Sequence, residues 1–304
     1  MHILITGGSG FLGSALTQQL LADGTHQISW VSRHKKMPSP AGVKVITYDE
    51  LANINKIYDI IINLAGAGIA DKRWSDKRKQ ILYSSRLKPT QAVIRYIQQA
   101  NSKPKLLISG SAIGWYGAQT NDERLTEKSP AQNHDFAHQL CKKWEQLALT
   151  ATSDNVPVAI VRTGVVISST GGMIHKLKLP FSLGVGGKLG SGKQTMSWIG
   201  LNDWINAVLF IIEQNIGNTD KNLPNKQFYN LTAPNAINNA TFTKAVGNWL
   251  NLPTLFSQPD FLLKLLFGEM ATLLIDGQNV YPKNLLDMGF EFKEHTVAKA
   301  LSTD

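Results

Sequence analysis

A chain of 304 residues with 43% hydrophobic content can bury one large core, or a large core with a smaller appended lobe, without staples. Its single cysteine, Cys141, excludes an internal disulfide framework, and no Cys/His cluster has the spacing of zinc ligands. The formal net charge of +9 is spread along the chain with only brief runs such as Lys35-Lys36 and Lys142-Lys143, which reads as a solvated surface and predicts no nucleic-acid partner.

The opening MHILITGG has no basic leader before an apolar run, so a cytoplasmic setting is expected. Met1 to Thr6 reads as a short strand, Gly7-Gly8-Ser9-Gly10 breaks it, and Phe11 to Ala22 has helical spacing at Leu12, Leu16, Leu20 and Leu21. Gln27 to Val31 and Val43 to Tyr48 read as the next strands. Tyr58 to Leu64 (YDIIINL) is a nearly continuous β-branched run, the pattern of a parallel strand covered on both faces. A helix over about Asp76 to Ala100, a strand at Lys105 to Ser109, a helix over about Asp135 to Ala151 and a strand at Val158 to Val161 continue the alternation. The fold class is therefore α/β: a Rossmann-type doubly wound parallel sheet with a smaller carboxyl-terminal substrate lobe.

After about residue 165 the pattern loosens. A glycine-rich loop spans Gly184 to Gly192, a helix covers about Asn202 to Asn215, and a strand lies at Phe228 to Leu231. The expected division is 1–165 for the dinucleotide-binding domain and 166–304 for a lobe from which some segments return to it. Phe261 to Phe267 (FLLKLLF) is far shorter than the roughly 20 apolar residues of a spanning helix. It reads as a core helix, and no membrane partner is expected.

Gly7-x-x-Gly10-x-x-Gly13 stands directly between a strand and a helix. The first glycine permits the tight turn, the second lets a diphosphate approach the backbone, and the third lets helix pack on strand, so the helix amides face the phosphates. After the second strand, where an acid would bind the ribose hydroxyls, the chain has Ser32-Arg33-His34-Lys35-Lys36. A cation there suits a 2′-phosphate and favours NADP(H) over NAD(H).

TGGSGFLG, the strand ending NLAG at Gly66, RWSDKRKQILYSSR ending at Arg86, SGSAIGWYG, LGSGKQTMSWI, NLTAPN and the tail YPKNLLDMGFEF together resemble the atypical, sugar-nucleotide-epimerase-like branch of the extended short-chain dehydrogenases/reductases (NAD-dependent epimerase/dehydratase-like). The likeness covers essentially the whole chain. It implies that Gly7, Gly10, Phe11 and Gly13 hold the diphosphate of NADP(H), with Ser32 and Arg33 at the adenosine phosphate. It also implies that Leu64, Ala65 and Gly66 line the cofactor and that Arg86 reaches it from the following helix. A homodimer through the helices flanking the sheet is common in that superfamily.

The superfamily's active site uses a Tyr with a Lys four residues on, which lowers the Tyr pKa and holds the ribose. Anchored on Glu145 in DFAHQLCKKWE, those positions fall at Ala137 and Cys141. Lys142 and Lys143 are one and two residues out of register, about 100 and 200 degrees around the helix. Tyr116 with Ser111 is the candidate substitute acid/base pair, and the alternative for Tyr116 is a loop tyrosine packed on a ligand.

Lys193 and Trp198 are candidates for a substrate cleft. The segment Gly187 to Gln194 approaches a Walker A loop, but no Ser or Thr follows Lys193 and no strand precedes it. His134 and His138 lie four apart with no third ligand, and Asp122-Glu123 reads as a solvated loop pair. Two functions follow: an NADP(H)-dependent oxidoreductase or epimerase on a small, nucleotide-linked or other substrate, or a non-catalytic NADP(H)-binding sensor or partner-binding protein.

Overall fold

The computed structural model describes residues 1–119, 121–217, 223–254 and 256–303. The amino-terminal half alternates as its hydrophobic periodicity dictates: β1 (His2–Thr6), α1 (Phe11–Ala22), β2 (Gln27–Ser32), β3 (Val43–Thr47), α2 (Tyr48–Ala52), β4 (Ile60–Asn63), α3 (Asp76–Gln99), β5 (Leu106–Ala112), α4 (Phe136–Leu149) and β6 (Val158–Thr163). Tyr48, expected at a strand end, instead opens α2, because Thr47 and Glu50 form a reciprocal capping box there.

Short strands β7 (Val165–Ile167), β8 (Gly187–Leu189), β9 (Thr195–Met196) and β10 (Trp198–Gly200) surround α5 (Gly172–Ser182). Next come α6 (Leu201–Ile216), β11 (Lys226–Leu231), β12 (Ile237–Asn238), α7 (Asn239–Leu250), β13 (Phe256–Gln258) and α8 (Asp260–Phe267).

The main sheet has seven strands in the order β11-β6-β5-β4-β1-β2-β3, all parallel. Its inner strands are buried on both faces, which is why Ile60 to Ile62 and Leu106 to Ile108 read as unbroken apolar runs. One face packs on Leu16 and Leu20 of α1 and Trp204, Val208 and Ile211 of α6. The other packs on Val93, Ile94 and Ile97 of α3 and Ala148 of α4.

Two late segments complete this body. α6 covers a sheet face and β11 pairs with β6, so the chain re-enters the dinucleotide-binding domain after the lobe has begun. The carboxyl-terminal tail does the same through Leu285, Phe290 and Phe292. Asp203 and Glu294 lock it down: the Asp203 carboxylate accepts from the amides of Lys293 and Glu294, and Glu294 accepts from the Asp203 amide. The lobe keeps its own core of Ile167, Ile174, Phe181, Trp198, Phe242 and Val246.

The reading of FLLKLLF as a core helix is corrected. Only Leu263 of α8 is buried, while Phe261 and Leu265 are 71% and 69% exposed. At eight residues the helix has one inward row, and an apolar sequence cannot say which of its faces meets the protein.

Candidate functional site

Strand order reverses between β2 and β4, on either side of β1, so the carboxyl ends of β1 and β4 frame the crevice where ligands of open α/β sheets bind. Gly7 turns the chain out of β1 at φ +72°, and a Cβ there would lie 2.8 Å from the Ala65 amide and the Leu64 carbonyl carbon. A Cβ on Gly13 would strike the Gly7 carbonyl oxygen, and one on Gly8 would strike the Trp30 indole. Gly10 is exposed and is the N-cap of α1 without a side-chain cap. The first-turn amides of α1 are thus presented to the crevice with no side chain competing for them.

Polar side chains that sequence reasoning missed hold this geometry. The Thr6 hydroxyl donates to Asn63 Oδ1 at 2.7 Å and accepts from the Ala65 amide at 3.2 Å. Asn63 Nδ2 donates to Thr90 Oγ1 at 2.8 Å and Ser109 Oγ at 3.3 Å, and the Trp144 indole also donates to Thr90. Five elements are thereby tied together at the strand ends. Asn63 at the close of an otherwise apolar strand was the available signal, since a buried amide must find partners.

Ser32 is nearly buried at the end of β2, accepting from the His34 amide, and Arg33 beside it is exposed. Lys35 is paired with Glu50, while Arg33 and Lys36 have no carboxylate partner among the described residues. Leu64, Ala65 and Gly66 continue from β4, with Gly66 exposed. Arg86 of α3 lies against Gly66, where an added Cβ would be 3.1 Å from its guanidinium carbon.

Arg86 donates to the Leu82 carbonyl and stacks 5.2 Å from the Trp144 ring, and among the described residues no carboxylate pairs with it. Burial lowers its pKa from the ordinary arginine value. A half-buried guanidinium with donors to spare at a strand end is suited to an acceptor-rich ligand.

The α4 side of the crevice differs. Ala137 and Cys141 face Gly114, whose Cβ would lie 3.2 Å from Ala137 Cβ and 3.7 Å from Cys141 Sγ. Burial pushes the Cys141 thiol up to about 11, so it is a packed thiol and a poor proton carrier near neutral pH.

Ser111 and Tyr116 are both drawn into a buried ion-pair network. Ser111 Oγ donates to Glu145 Oε1 at 2.6 Å, and Glu145 receives Arg162 in a bidentate pair at 3.0 and 2.9 Å. The Tyr116 hydroxyl has no exposed surface; it accepts from Arg162 and lies 2.8 Å from Asn230 Oδ1 and 2.9 Å from the Thr126 carbonyl. Burial, opposed by Arg162, pushes its pKa up to about 12. Both hydroxyls named as the candidate acid/base pair are thus engaged with other side chains within the core.

Trp198, also expected in a cleft, is 1% exposed, its indole donating to the Asn235 carbonyl in the core of the lobe. Lys193 is exposed at the end of the glycine-rich loop. His134 and His138 stack face to face, and among the described residues no group of His, Cys, Asp and Glu is arranged to hold a metal.

The model of the NAD dependent epimerase/dehydratase family matches residues 3–224, and a domain of unknown function, DUF1731, matches 258–303. The chain belongs to the NAD dependent epimerase/dehydratase family. Relatives of this epimerase-family chain include Epimerase family protein Mb2239 of Mycobacterium bovis, 35% identical over 98% of this chain and 96% of that one. Another is the chloroplastic SDR39U1 homolog of Arabidopsis thaliana, 34% identical over 99% and 86%. A crystal structure of human epimerase family protein SDR39U1 with NADPH superposes with a TM-score of 0.87 at 32% identity, covering 99% of this chain and 97% of that one. The resemblance and the doubly wound fold read from sequence are therefore correct.

Proposed function

We propose that this epimerase-family chain binds NADP(H) across the carboxyl ends of β1, β2 and β4 and acts as an oxidoreductase or epimerase on a small molecule. The supporting observation is the cradle at Gly7, Gly8, Gly10 and Gly13, three of whose positions would collide with backbone or indole if they carried a Cβ. The residues fit the group: first-turn amides of α1 for the diphosphate, Ser32 and Arg33 for a 2′-phosphate, Leu64 to Gly66 for the ring-side half, and Arg86 over Gly66. The human relative with NADPH supports the same choice of cofactor.

When bound, the nicotinamide supplies hydride exchange. The chain's own contribution is to position and desolvate. Arg86 brings a fixed cation to the β4 end, and Trp144 and Cys141 exclude water beside it. At the register of the superfamily's Tyr and Lys, α4 offers Ala137 and Cys141, and the Ser111 and Tyr116 hydroxyls are engaged in a buried network.

That last observation favours a second reading, a protein that binds NADP(H) and reports its redox state without turnover. Calorimetric titration with NADPH and NADH, on the parent and Arg33→Ala, tests the cofactor claim. NADPH should bind more tightly than NADH, and the variant should lose about tenfold or more for NADPH alone, the value of one charge-assisted contact. Failure of both nucleotides to bind the parent would refute it. Oxidation of bound NADPH by candidate carbonyl compounds then separates the enzyme from the sensor.

A further inference from the structure

The second lobe carries a set of large apolar side chains that the fold leaves uncovered: Leu179, Leu183 and Val185 at the end of α5, Phe256 on β13, and Phe261 and Leu265 on α8, each between 52% and 71% exposed. They belong to linked elements. β8 and β13 pair in parallel, and Gln258 donates to the Val185 carbonyl. α5 reaches the loop after β4 through Lys176 and Asp71, and α8 reaches the same loop where Arg73 donates to the Leu265 carbonyl. The helices, the ribbon and the loop form a continuous rim.

The rim is also basic. From Thr163 to Asn202 the chain carries Lys176, Lys178, Lys188 and Lys193 and no Asp or Glu. Exposed Lys72, Arg73 and Lys264 add to it. Among the acids, Asp71 and Glu269 are each paired with a lysine, and Asp276 lies near Lys264 as well as near Asp260.

We propose that this rim docks on an anionic lipid surface. Exposed Phe261 and Leu265 on a short helix, with Lys264 between them and lysines on the neighbouring α5 and β8 segments, is the chemistry of an element that lies in the headgroup region. No helix among the described residues is long and apolar enough to cross a membrane, so the contact is peripheral. A second copy of the chain is a poorer occupant, because a self-complementary contact would set the same lysines against one another. Covering by lipid also accounts for a patch of this kind on a chain with an otherwise well-buried core.

The test is co-sedimentation of the full chain with vesicles of phosphatidylcholine alone and of phosphatidylcholine with phosphatidylglycerol, at low and high salt. Binding should require the anionic lipid, weaken with salt, and fall at least about tenfold in Phe261→Ser/Leu265→Ser. Lys188→Glu/Lys264→Glu should weaken it as well. Thermal unfolding of each variant should match the parent, since these side chains are exposed. Absence of binding to the anionic vesicles, or binding unchanged by both variants, overturns the proposal. So does a parent dimer in light scattering that becomes monomeric in Phe261→Ser/Leu265→Ser without any vesicle binding, which would assign the face to self-association.

Discussion

The two walls of the crevice differ in where their polar groups point. On the β1–β4 wall the glycines clear space, the α1 amides lack a side-chain cap, and Arg86 has no carboxylate partner among the described residues, so donors remain available. On the α4 wall Ala137 and Cys141 are packed, and Ser111, Glu145, Arg162 and Tyr116 bond to one another, so donors face inward. The first wall leaves donors available to a ligand, and the second spends its donors on the fold. One crevice can thus carry an open glycine turn on one side and a packed, internally bonded side opposite it.

Glu145→Ala should break the second wall and give the largest effect. It strands Arg162 as a buried cation, and the expected loss is about 3–5 kcal/mol in urea unfolding. An unchanged unfolding midpoint would mean that the pair is not structural.

Gly13→Ala should strike the first wall through the clash with the Gly7 carbonyl. Overpacking of this kind costs about 1–3 kcal/mol, and NADPH titration should show binding abolished. A variant that unfolds normally and still binds would show that the turn can shift.

Arg86→Met sharpens the contrast, because removing an unpaired, half-buried cation should leave apo stability unchanged or raised while NADPH affinity falls by about tenfold. Loss of stability without loss of affinity would move Arg86 to the structural wall.

The smallest effect is expected at Glu127, whose carboxyl is buried with Oε2 unpartnered and whose pKa burial raises. A raised folded-state pKa means that the fold favours the protonated form. The penalty is absent below the ordinary glutamate value, grows as pH rises from there to the folded value, and is constant above it. Glu127→Gln should therefore stabilise the chain by up to about 1 kcal/mol near neutral pH, with the gain vanishing in acid. A gain that is independent of pH would assign the effect to packing.

Much of the first wall was legible in sequence. Strand, Gly7-x-x-Gly10-x-x-Gly13 and helix are contiguous, and α1 occupies the predicted Phe11–Ala22. The missing Tyr and Lys were legible too, from the spacing to Glu145. The part played by Glu145 was not, because it sits on α4 while its partners Arg162 and Ser111 lie on β6 and β5. Tyr116 looked like a loop hydroxyl near a site until Arg162, Asn230 and Thr126 closed around it.

Sequence by itself determined the alternation of strands and helices, the glycine cradle and the basic end of β2, since each depends on neighbours within a few residues along the chain. Only the tertiary structure decided which polar side chains remain available. That depends on groups brought together across β4, β5, β6, β11 and α4, and on desolvation, which makes pairing obligatory for whatever is buried. The same holds for α8. Its apolar residues promised burial, but whether a surface exists to bury them is a property of the whole fold.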